Sequence, residues 1–425
     1  MRCGGRNRSQ LTWQRERRFG RVLDMPISGF LVSESDVGNG PRALVRRHGS
    51  PLLVLDCERV RVQYHRLAAA LPGVELHYAI KALSHPSVIT TLNDAGSSFD
   101  ISSMGELALV ASLGIRPNRL INTHPIKSGR DILESLQYGC TTFVVDNVLE
   151  IEKFIPYRDR VSLVLRLGLR SLDAVVDLSK KFGCALEDAI SLLELGRRLG
   201  LRISGISFHV GSQCASPRGH VEAINESRIL IEKIRRSHLD EIRLLDIGGG
   251  FPASYATKAP DIDAFCTPIR AALSELPDGI RIVAEPGRYI AAPAMEGIAT
   301  VIGKARRGDA FWYYLDDGVY GSFNGRLYDP DVRYPLRAIS DNLGAPRPSV
   351  LAGPTCDSID IIEENISIPE LEIGDLIVGS SMGAYTIGSA SEFNSLPRTT
   401  ILVLNGPPTV KPDCSRERQL QLRPG

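Results

Sequence analysis

A regular alternation of short apolar runs with amphipathic segments, between residues 75 and 284, constrains the fold of this chain most strongly. The apolar runs are rich in β-branched residues, and the intervening segments repeat apolar residues at helical spacing. Eight runs are predicted strands: 75–80, 98–101, 120–122, 142–145, 162–167, 205–210, 244–247 and 281–284. Eight strands joined by helices predict an α/β fold with a parallel (β/α)8 barrel, and nearly continuous apolar strands are typical of a sheet buried on both faces.

The pattern changes after about residue 295, where short β-like runs punctuated by glycine and proline replace the alternation. These runs, at 297–302, 310–315, 349–351, 376–378 and 399–404, predict a C-terminal β-rich domain, which runs at 30–32 and 52–55 extend. We therefore divide the chain into five parts. They are a disordered basic extension (1–25), N-terminal strands that join the β domain (26–56), the barrel (57–294), the β domain (295–408) and a loose tail (409–425).

Charge and cysteine content exclude several classes of protein. The formal net charge is +1, so charge gives no reason to expect nucleic acid or an acidic membrane as a partner. No apolar run reaches the roughly 18–20 residues that span a bilayer. The eight cysteines are scattered without metal-ligand spacing, which indicates reduced thiols in a cytoplasmic protein and predicts no metal site.

The ends of the predicted barrel strands carry polar or glycine residues. Barrel enzymes place their chemistry at the C-terminal ends of their strands, so these residues are candidates for an active-site rim. The candidates are Lys81, Asp100, His124, Asp146, Arg166, His209, Gly248, Gly249, Gly250 and Glu285.

Three strand ends indicate a specific chemistry. Successive backbone N–H groups of the glycine run at 248–250 can form a nest for a phosphate. Glu285 can keep a pyridine ring nitrogen protonated, which makes the ring an electron sink, and Arg288 can serve a phosphate. Lys81 closes an apolar strand, and a partly buried lysine can act as a nucleophile toward a carbonyl.

Other polar residues extend this site in both predicted domains. The imidazole of His209 can stack on a flat ring, and the Ser212 hydroxyl can contact a phosphate. In the β domain, Asp329 and Asp357 can bind the distal ammonium of a cationic substrate. Cys356 can donate a proton to a carbanion if its thiol is accessible.

Taken together, these segments resemble the fold-III pyridoxal-phosphate-dependent decarboxylases, and among them most closely the ornithine/lysine decarboxylases. The resemblance runs from about residue 50 to residue 396. It rests on residues 78–82 (YAIKA), 99–103 (FDISS), 165–166 (LR), 181–183 (KFG), 209–212 (HVGS), 248–250 (GGG) and 285–289 (EPGRY) in the barrel. In the β domain it rests on residues 317–324 (DGVYGSFN), 327–329 (LYD), 353–357 (GPTCD) and 382–386 (MGAYT).

The resemblance implies an alanine-racemase-like barrel, pyridoxal 5′-phosphate as cofactor, and a role for each matching residue. Lys81 would carry the cofactor as a Schiff base, and Cys356 would protonate the product carbanion. Further cofactor contacts would come from Asp100, Arg166, His209, Ser212, Gly248, Gly249, Gly250, Glu285, Gly287, Arg288 and Tyr385. Substrate contacts would come from Tyr320, Tyr328, Asp329, Asp357 and Phe393. Members of the family are head-to-tail homodimers whose active sites lie at the interface.

The implied reaction is decarboxylation of a basic L-amino acid, foremost L-ornithine to putrescine in polyamine biosynthesis. L-Lysine, both amino acids together, or a modified ornithine remain alternatives, because one methylene changes binding by only about 1–3 kcal/mol. The segment containing Tyr328 and Asp329 argues against a diaminopimelate decarboxylase, and an alanine racemase has no need of Cys356 and Asp357. An inactive homologue that binds a regulatory partner would have lost the catalytic groups, whereas Lys81, Asp100, Glu285 and Cys356 are all present. Two segments depart from the family pattern, 82–86 and 122–125, and both flank the rim.

Overall fold

This computed structural model describes residues 29–169, 174–176, 180–237, 239, 241–329, 332–341 and 344–407; the predicted extension (1–25) and tail (409–425) lie outside the described residues. The described strands are β1 (Gly29–Val32), β2 (Leu52–Asp56), β3 (Val74–Ala79), β4 (Ser98–Ile101), β5 (Leu120–Asn122), β6 (Thr142–Val145), β7 (Ser162–Leu167), β8 (Ala174–Val176), β9 (Ile203–Phe208), β10 (Ser212–Cys214), β11 (Leu244–Asp246), β12 (Arg281–Ala284), β13 (Met295–Arg307), β14 (Ala310–Leu315), β15 (Leu336–Ile339), β16 (Arg347–Ala352), β17 (Ile361–Ile368), β18 (Leu376–Gly379) and β19 (Thr400–Leu404). The described α-helices are α1 (Glu34–Gly38), α2 (Pro41–His48), α3 (Cys57–Ala70), α4 (Pro86–Asp94), α5 (Met104–Ser112), α6 (Gly129–Tyr138), α7 (Val148–Glu152), α8 (Ala189–Arg198), α9 (Arg218–Arg236), α10 (Ile262–Ser274), α11 (Arg288–Ala291) and α12 (Gly325–Tyr328).

A closed barrel of eight parallel strands forms the centre of the molecule. Its strands follow one another around the ring in the order β3-β4-β5-β6-β7-β9-β11-β12, and β12 pairs with β3 to close it. The predicted barrel is therefore confirmed, with small shifts at the ends of β3 and β9. Strand β9 ends at Phe208, so His209 begins the loop that follows the strand.

The alternation of side chains along the barrel strands determines what lies at the barrel mouth. An apolar layer fills the interior and consists of Ile121, Val144, Val164, Leu244 and Val283. Side chains two positions apart on a strand point to the same face, so the next inward position on each strand lies one layer closer to the mouth. Those positions are all polar: Thr123, Asp146, Arg166, Asp246 and Glu285. The barrel therefore presents an inward-facing polar layer at its C-terminal end.

The opposite face of the barrel strands packs against the surrounding helices. Phe99 and Phe143 are fully buried there and belong to one continuous apolar core with Leu107 of α5 and Ile132 of α6. This core holds the strand ends rigidly, because close-packed interiors resist small displacements. Among the described residues, no helix is both long and apolar enough to cross a membrane.

A nine-stranded sheet lies outside the barrel and contains all five strands predicted after residue 295. Strand β19 lies between β1 and β2 and is parallel to both, while β2 also pairs antiparallel with β13. The two N-terminal strands are thus part of this sheet.

Several described elements of this region do not follow from the sequence pattern. Helices α1 and α2 connect the two N-terminal strands, and a capping box between Ser33 and Asp36 begins α1. Strand β17, which includes Glu363 and Glu364, pairs with β16 at the edge of the sheet. Strand β15 pairs with β18, which itself pairs with β13. Short helices and charged edge strands lack the continuous apolar runs by which the other elements are recognised.

Candidate active site

Lys81 lies in a 3₁₀ turn, Ile80–Ala82, that directly follows β3. Its Nζ atom is 3.5 Å from Oδ2 of Asp100, and Thr123 donates its hydroxyl to the other oxygen of that carboxylate. The Asp100 side chain is buried whereas the Lys81 side chain is 43% exposed, so the lysine is accessible and its counter-ion is not. Burial acts to lower the pKa of Lys81, but the neighbouring acidic groups, led by Asp100 and Glu285, together outweigh burial and raise it.

A pair of buried carboxylates, Glu285 and Asp246, lies at the ends of β12 and β11. The Gly248 N–H donates to Oδ1 of Asp246 at 2.9 Å, and the Glu285 N–H donates to the Gly248 carbonyl at 2.7 Å. Burial raises the pKa of both carboxyl groups, and the neighbouring Asp246 raises that of Glu285 further. A protonated ring nitrogen beside Glu285 would relieve this cost, because it would give the buried carboxylate a positive partner.

The glycine run lies directly against His209. A Cβ atom on Gly249 would be 2.8 Å from the Glu285 carbonyl oxygen and 3.1 Å from Nε2 of His209, so no other residue fits there. Nδ1 of His209 accepts the Gly211 N–H at 3.1 Å, which leaves the proton on Nε2. Burial and the charge of Arg166 lower the pKa of His209 well below its ordinary value, so the imidazole is neutral.

Arg288 joins several polar groups at the start of α11. Its Nε and Nη2 atoms each donate to the Ser212 hydroxyl at 3.2 Å, and Nη1 donates to the Tyr255 hydroxyl at 2.9 Å. The guanidinium carbon lies 5.0 Å from the centre of the Tyr385 ring, which is a cation–π distance. Tyr385 is also bonded to the lysine turn, because its N–H donates to the Ala82 carbonyl at 2.8 Å.

Asp329 ends helix α12 and reaches the same arginine. Its Oδ2 atom is 3.4 Å from Nη2 of Arg288, and both side chains are nearly nine-tenths buried or more. The structure therefore brings Asp329 to the barrel mouth, next to the group formed by Ser212 and Arg288. Tyr328, one residue earlier, is 66% exposed and lies at the surface instead.

Arg166 and the turn at 181–183 form another side of the mouth. The guanidinium carbon of Arg166 lies 5.5 Å from the Phe182 ring centre, and His124 meets the same ring edge-on at 5.4 Å. Oδ2 of Asp146 accepts the Gly183 N–H at 2.8 Å and so fixes the turn. His124, in the unusual segment 122–125, is thus part of the wall of the mouth.

The remaining predicted residues form a second cluster on the β-rich part of the molecule. The rings of Tyr320 and Phe393 stack with their centres 4.3 Å apart, and the Tyr320 hydroxyl donates to Asp357 at 2.5 Å. Cys356 is exposed, and its Sγ lies 3.5 Å from Oδ1 of Asn394. The cluster thus places two aromatic rings, a carboxylate and an exposed thiol close together on the β-rich part of the molecule.

Some polar residues at the mouth have no predicted role. Thr123, Asp246 and Tyr255 each bond to a predicted residue, and Glu106 has a pKa raised to about 7 by burial and the neighbouring Asp100. The inward-facing positions of Thr123 and Asp246 could have been predicted from the alternation of side chains along β5 and β11. Tyr255 lies in a loop, where the sequence gives no comparable signal.

His85, in the other unusual segment, begins helix α4. Its Nδ1 accepts the Ser87 N–H at 3.2 Å, and burial lowers its pKa from 6.5 to about 4. Between these two pH values His85 is protonated in the unfolded chain but not in the folded chain. Its contribution therefore lowers the free energy of unfolding as the pH falls.

His85→Asn keeps a good helix cap without a titrating group. We expect the stability of the natural chain, relative to this variant, to fall by about 1.4 kcal/mol per pH unit between about pH 6.5 and 4. Urea unfolding of both proteins at pH 7, 6 and 5 measures this difference. A difference that does not change with pH would contradict the assignment.

The residues at the mouth fit a phosphorylated pyridine aldehyde. The site offers an accessible lysine amine, a buried carboxyl group whose pKa is raised by burial, a neutral imidazole, and an arginine–serine pair beside a glycine run. These groups match the parts of pyridoxal phosphate in turn. The glycine run is packed too closely for side chains, which are excluded at Gly249, and Gly250 has a φ of +98°.

Comparison with known proteins agrees with this chemistry. The family model described as "Pyridoxal-dependent decarboxylase, pyridoxal binding domain" matches residues 57–292. The lysine/ornithine decarboxylase of Selenomonas ruminantium is 34% identical over 385 residues, which are 90% of this chain and 95% of that protein. The ornithine decarboxylase of Mus pahari is 34% identical and covers 82% of this chain and 79% of its own length.

A solved structure shows the same architecture at higher identity. The lysine/ornithine decarboxylase of Vibrio vulnificus, complexed with putrescine, is 50% identical and superimposes with a TM-score of 0.81 over 85% of this chain and 96% of its own. The family match covers more than half of the chain, and the site supplies the groups that the family name requires. The chain therefore belongs to the pyridoxal-dependent decarboxylases, as an enzyme that removes carbon dioxide from a basic amino acid.

Proposed function

We propose that this chain converts L-ornithine to putrescine, the first diamine of polyamine biosynthesis, with L-lysine as the nearest alternative substrate. The observation that carries the proposal is the buried carboxylate of Asp329, 3.4 Å from Arg288 at the barrel mouth. A carboxylate in that place provides a partner for a distal ammonium. The Vibrio vulnificus relative, solved with putrescine and with cadaverine, supports both substrates.

The barrel would hold pyridoxal phosphate at its C-terminal mouth. Lys81 would bind the aldehyde carbon, Glu285 would pair with the ring nitrogen, and His209 would cover one face of the ring. Ser212, Arg288 and the glycine run would hold the phosphate, with Tyr385 and Gly287 beside them. When bound, the cofactor supplies an electron sink for the electron pair that remains when carbon dioxide leaves.

The chain's own residues then prepare each step. Asp100 holds the Lys81 ammonium at the mouth, 3.5 Å away, so the amine is positioned when a proton leaves it. The buried carboxylate of Glu285 would favour a proton on the ring nitrogen, because burial and the neighbouring Asp246 make an ionised carboxylate costly there unless a positive charge lies beside it. The neutral imidazole of His209 can lie against the ring without adding a second positive charge.

The substrate's side chain would extend past the phosphate group toward Asp329. Nη2 of Arg288 contacts both the Ser212 hydroxyl, at 3.2 Å, and Asp329, at 3.4 Å, so the two subsites are neighbours. Ornithine and lysine differ by one methylene, a difference worth only about 1–3 kcal/mol in a binding site. A site of this kind can therefore accept both substrates to different degrees.

Cys356 and Asp357 would serve the active site of a second copy in a head-to-tail homodimer. Cys356 is exposed, and exposed apolar side chains lie in its own segment and in the segment that contacts it through Asn394: Ile359, Phe393 and Leu396. Exposed apolar groups beside a thiol and an acid are suited to an interface that is completed by another chain. In that arrangement the Cys356 thiol would return the proton to Cα, and Asp357 and Tyr320 would contact the distal amine. The exposed free thiol fits a reducing, cytoplasmic setting.

Carbon dioxide release from a panel of amino acids tests the proposed function. Purified protein with pyridoxal phosphate should act on L-ornithine and, at a different rate, on L-lysine, and it should leave meso-diaminopimelate and L-arginine largely unchanged. Diaminopimelate would bring a second carboxylate toward Asp329, and arginine a bulkier guanidinium. Preferred turnover of diaminopimelate or arginine would overturn the assignment.

Asp329→Asn should weaken the use of ornithine far more than the binding of the cofactor. We expect kcat/KM for L-ornithine to fall roughly 10- to 100-fold, because a charge-assisted bond to the distal ammonium is lost. The slow turnover of L-norvaline, which lacks that ammonium, should not fall, and this substrate is the internal control. Equal losses for both substrates would refute the role of Asp329.

A further inference from the structure

Gln213 has a backbone conformation that non-glycine residues seldom adopt. Its φ angle is +55°, in the left-handed region, and it follows Ser212 directly in strand β10. A residue in that region persists when its surroundings fix it there, and such residues concentrate at functional sites. Gln213 is not among the residues with a role in the proposed reaction.

The side-chain amide of Gln213 fixes this conformation through two hydrogen bonds. Its Nε2 donates to the Ala253 carbonyl at 2.6 Å, and its Oε1 accepts the Ala253 N–H at 3.0 Å. Ala253 is buried and follows the glycine run by three residues. One side chain therefore bonds both polar backbone groups of a single residue in another loop.

These bonds connect the two loops that would form the phosphate site. Ser212, which accepts from Arg288, begins the short strand β10 in the connection after β9, and the glycine run lies in the loop after β11. Two further bonds join the loops nearby: the Cys214 N–H donates to the Gly250 carbonyl at 3.0 Å, and Nε2 of His220 lies 2.9 Å from the Gly249 carbonyl.

The packing between the loops is tight as well as hydrogen-bonded. A Cβ atom on Gly250 would lie 2.9 Å from the Gly211 carbonyl oxygen and 3.0 Å from the Cys214 sulfur. Burial lowers the pKa of His220 to about 4, so its ring is neutral and donates its Nε2 proton to the carbonyl. The Gln213 amide bonds to Ala253, which lies beyond the last glycine of the run.

We propose that Gln213 is a positioning residue for the cofactor phosphate, which it serves by locking the Ser212 hydroxyl in place against the backbone of the glycine run. The proposal rests on the phosphate site of the proposed function. It predicts that Gln213 matters for the phosphate group and not for the rest of the cofactor. A residue that merely stabilised the fold would not make that distinction.

Gln213→Gly separates the two roles, because glycine relieves the left-handed backbone and removes the amide. We expect the dissociation constant for pyridoxal phosphate to rise roughly tenfold, as for the loss of two neutral hydrogen bonds, while that for pyridoxal stays within about twofold. Absorbance titrations of the cofactor-depleted chain measure both constants. Asn405→Gly is the matched control, because Asn405 has a φ of +54° at an exposed site far along the chain and should change neither constant.

Gln213→Met provides a second variant, since it keeps the length of the side chain and the strained backbone but makes neither bond. The proposal predicts the same selective loss of pyridoxal phosphate binding in both variants. Unchanged binding in either folded variant, or an equal loss for pyridoxal, would overturn it. If the natural chain bound neither compound, the proposed function itself would fail, which is a distinguishable result.

Discussion

Lys81→Ala is expected to lower kcat for carbon dioxide release by on the order of 10³-fold or more, because it removes the amine that acts as nucleophile toward the cofactor. The loss should not reflect unfolding. Lys81 is partly exposed, so the variant should remain folded. Buried Asp100, 3.5 Å from the Lys81 Nζ atom, loses a positive partner, so the thermal midpoint should fall by several degrees without loss of the fold. Carbon dioxide release and thermal unfolding, measured on the same preparation, separate the two effects.

Mixing inactive subunits serves as the control for the Lys81 prediction. Cys356 lies on the exposed surface of the β-rich region, and Lys81 lies at the barrel mouth. In a dimer with shared sites, a mixture of Lys81→Ala and Cys356→Ala chains recovers one intact site per mixed dimer. Correct putrescine formation should therefore return on mixing. Activity that never exceeds the sum of the separate variants would contradict shared sites.

Glu285→Gln should lower kcat by about 10²-fold, in the range found for removal of one preorganised electrostatic group. Glu285 is buried beside Asp246, and burial together with this neighbouring carboxyl group raises its pKa, so a protonated ring nitrogen beside it would stabilise its ionised form. Glutamine keeps the size of the side chain but cannot favour a proton on the ring nitrogen, so the electron sink weakens.

The binding of cofactor and substrate should survive the Glu285→Gln change, because neither Lys81 nor the phosphate site is altered. We therefore expect the change to appear in kcat, with KM within about threefold of the natural value, since an interaction used mainly in the transition state affects kcat. Steady-state carbon dioxide release gives both constants. A natural kcat in the variant, with cofactor bound, would exclude Glu285 as the partner of the ring nitrogen.

The barrel and most of its rim could be predicted because both depend on local patterns. The alternation of side chains along β7 and β12 places Arg166 and Glu285 on the inward face, and the glycine run begins two residues after β11 ends. Asp246 satisfies the same alternation on β11, two residues before the glycine run begins. The sequence pattern was thus sufficient wherever a residue's position follows from its own strand.

Contacts between distant loops could not be predicted in the same way. Asp329 meets Arg288 across 41 residues of sequence, and Gln213 meets Ala253 across 40, because the fold brings their loops together. Tyr255 reaches Arg288 from a segment with no regular secondary structure. Contacts of this kind leave no periodic pattern in the sequence, so only the three-dimensional structure identifies them.

The position of the cofactor on Lys81 can be tested directly by reduction with sodium borohydride. Purified protein loaded with pyridoxal phosphate is reduced, digested and examined by mass spectrometry. We predict one modified peptide, with the phosphopyridoxyl group on Lys81, and no such modification in the Lys81→Ala variant. A reduced cofactor on another lysine, or no attached cofactor after reduction, would contradict the central claim that Lys81 carries the chemistry of this site.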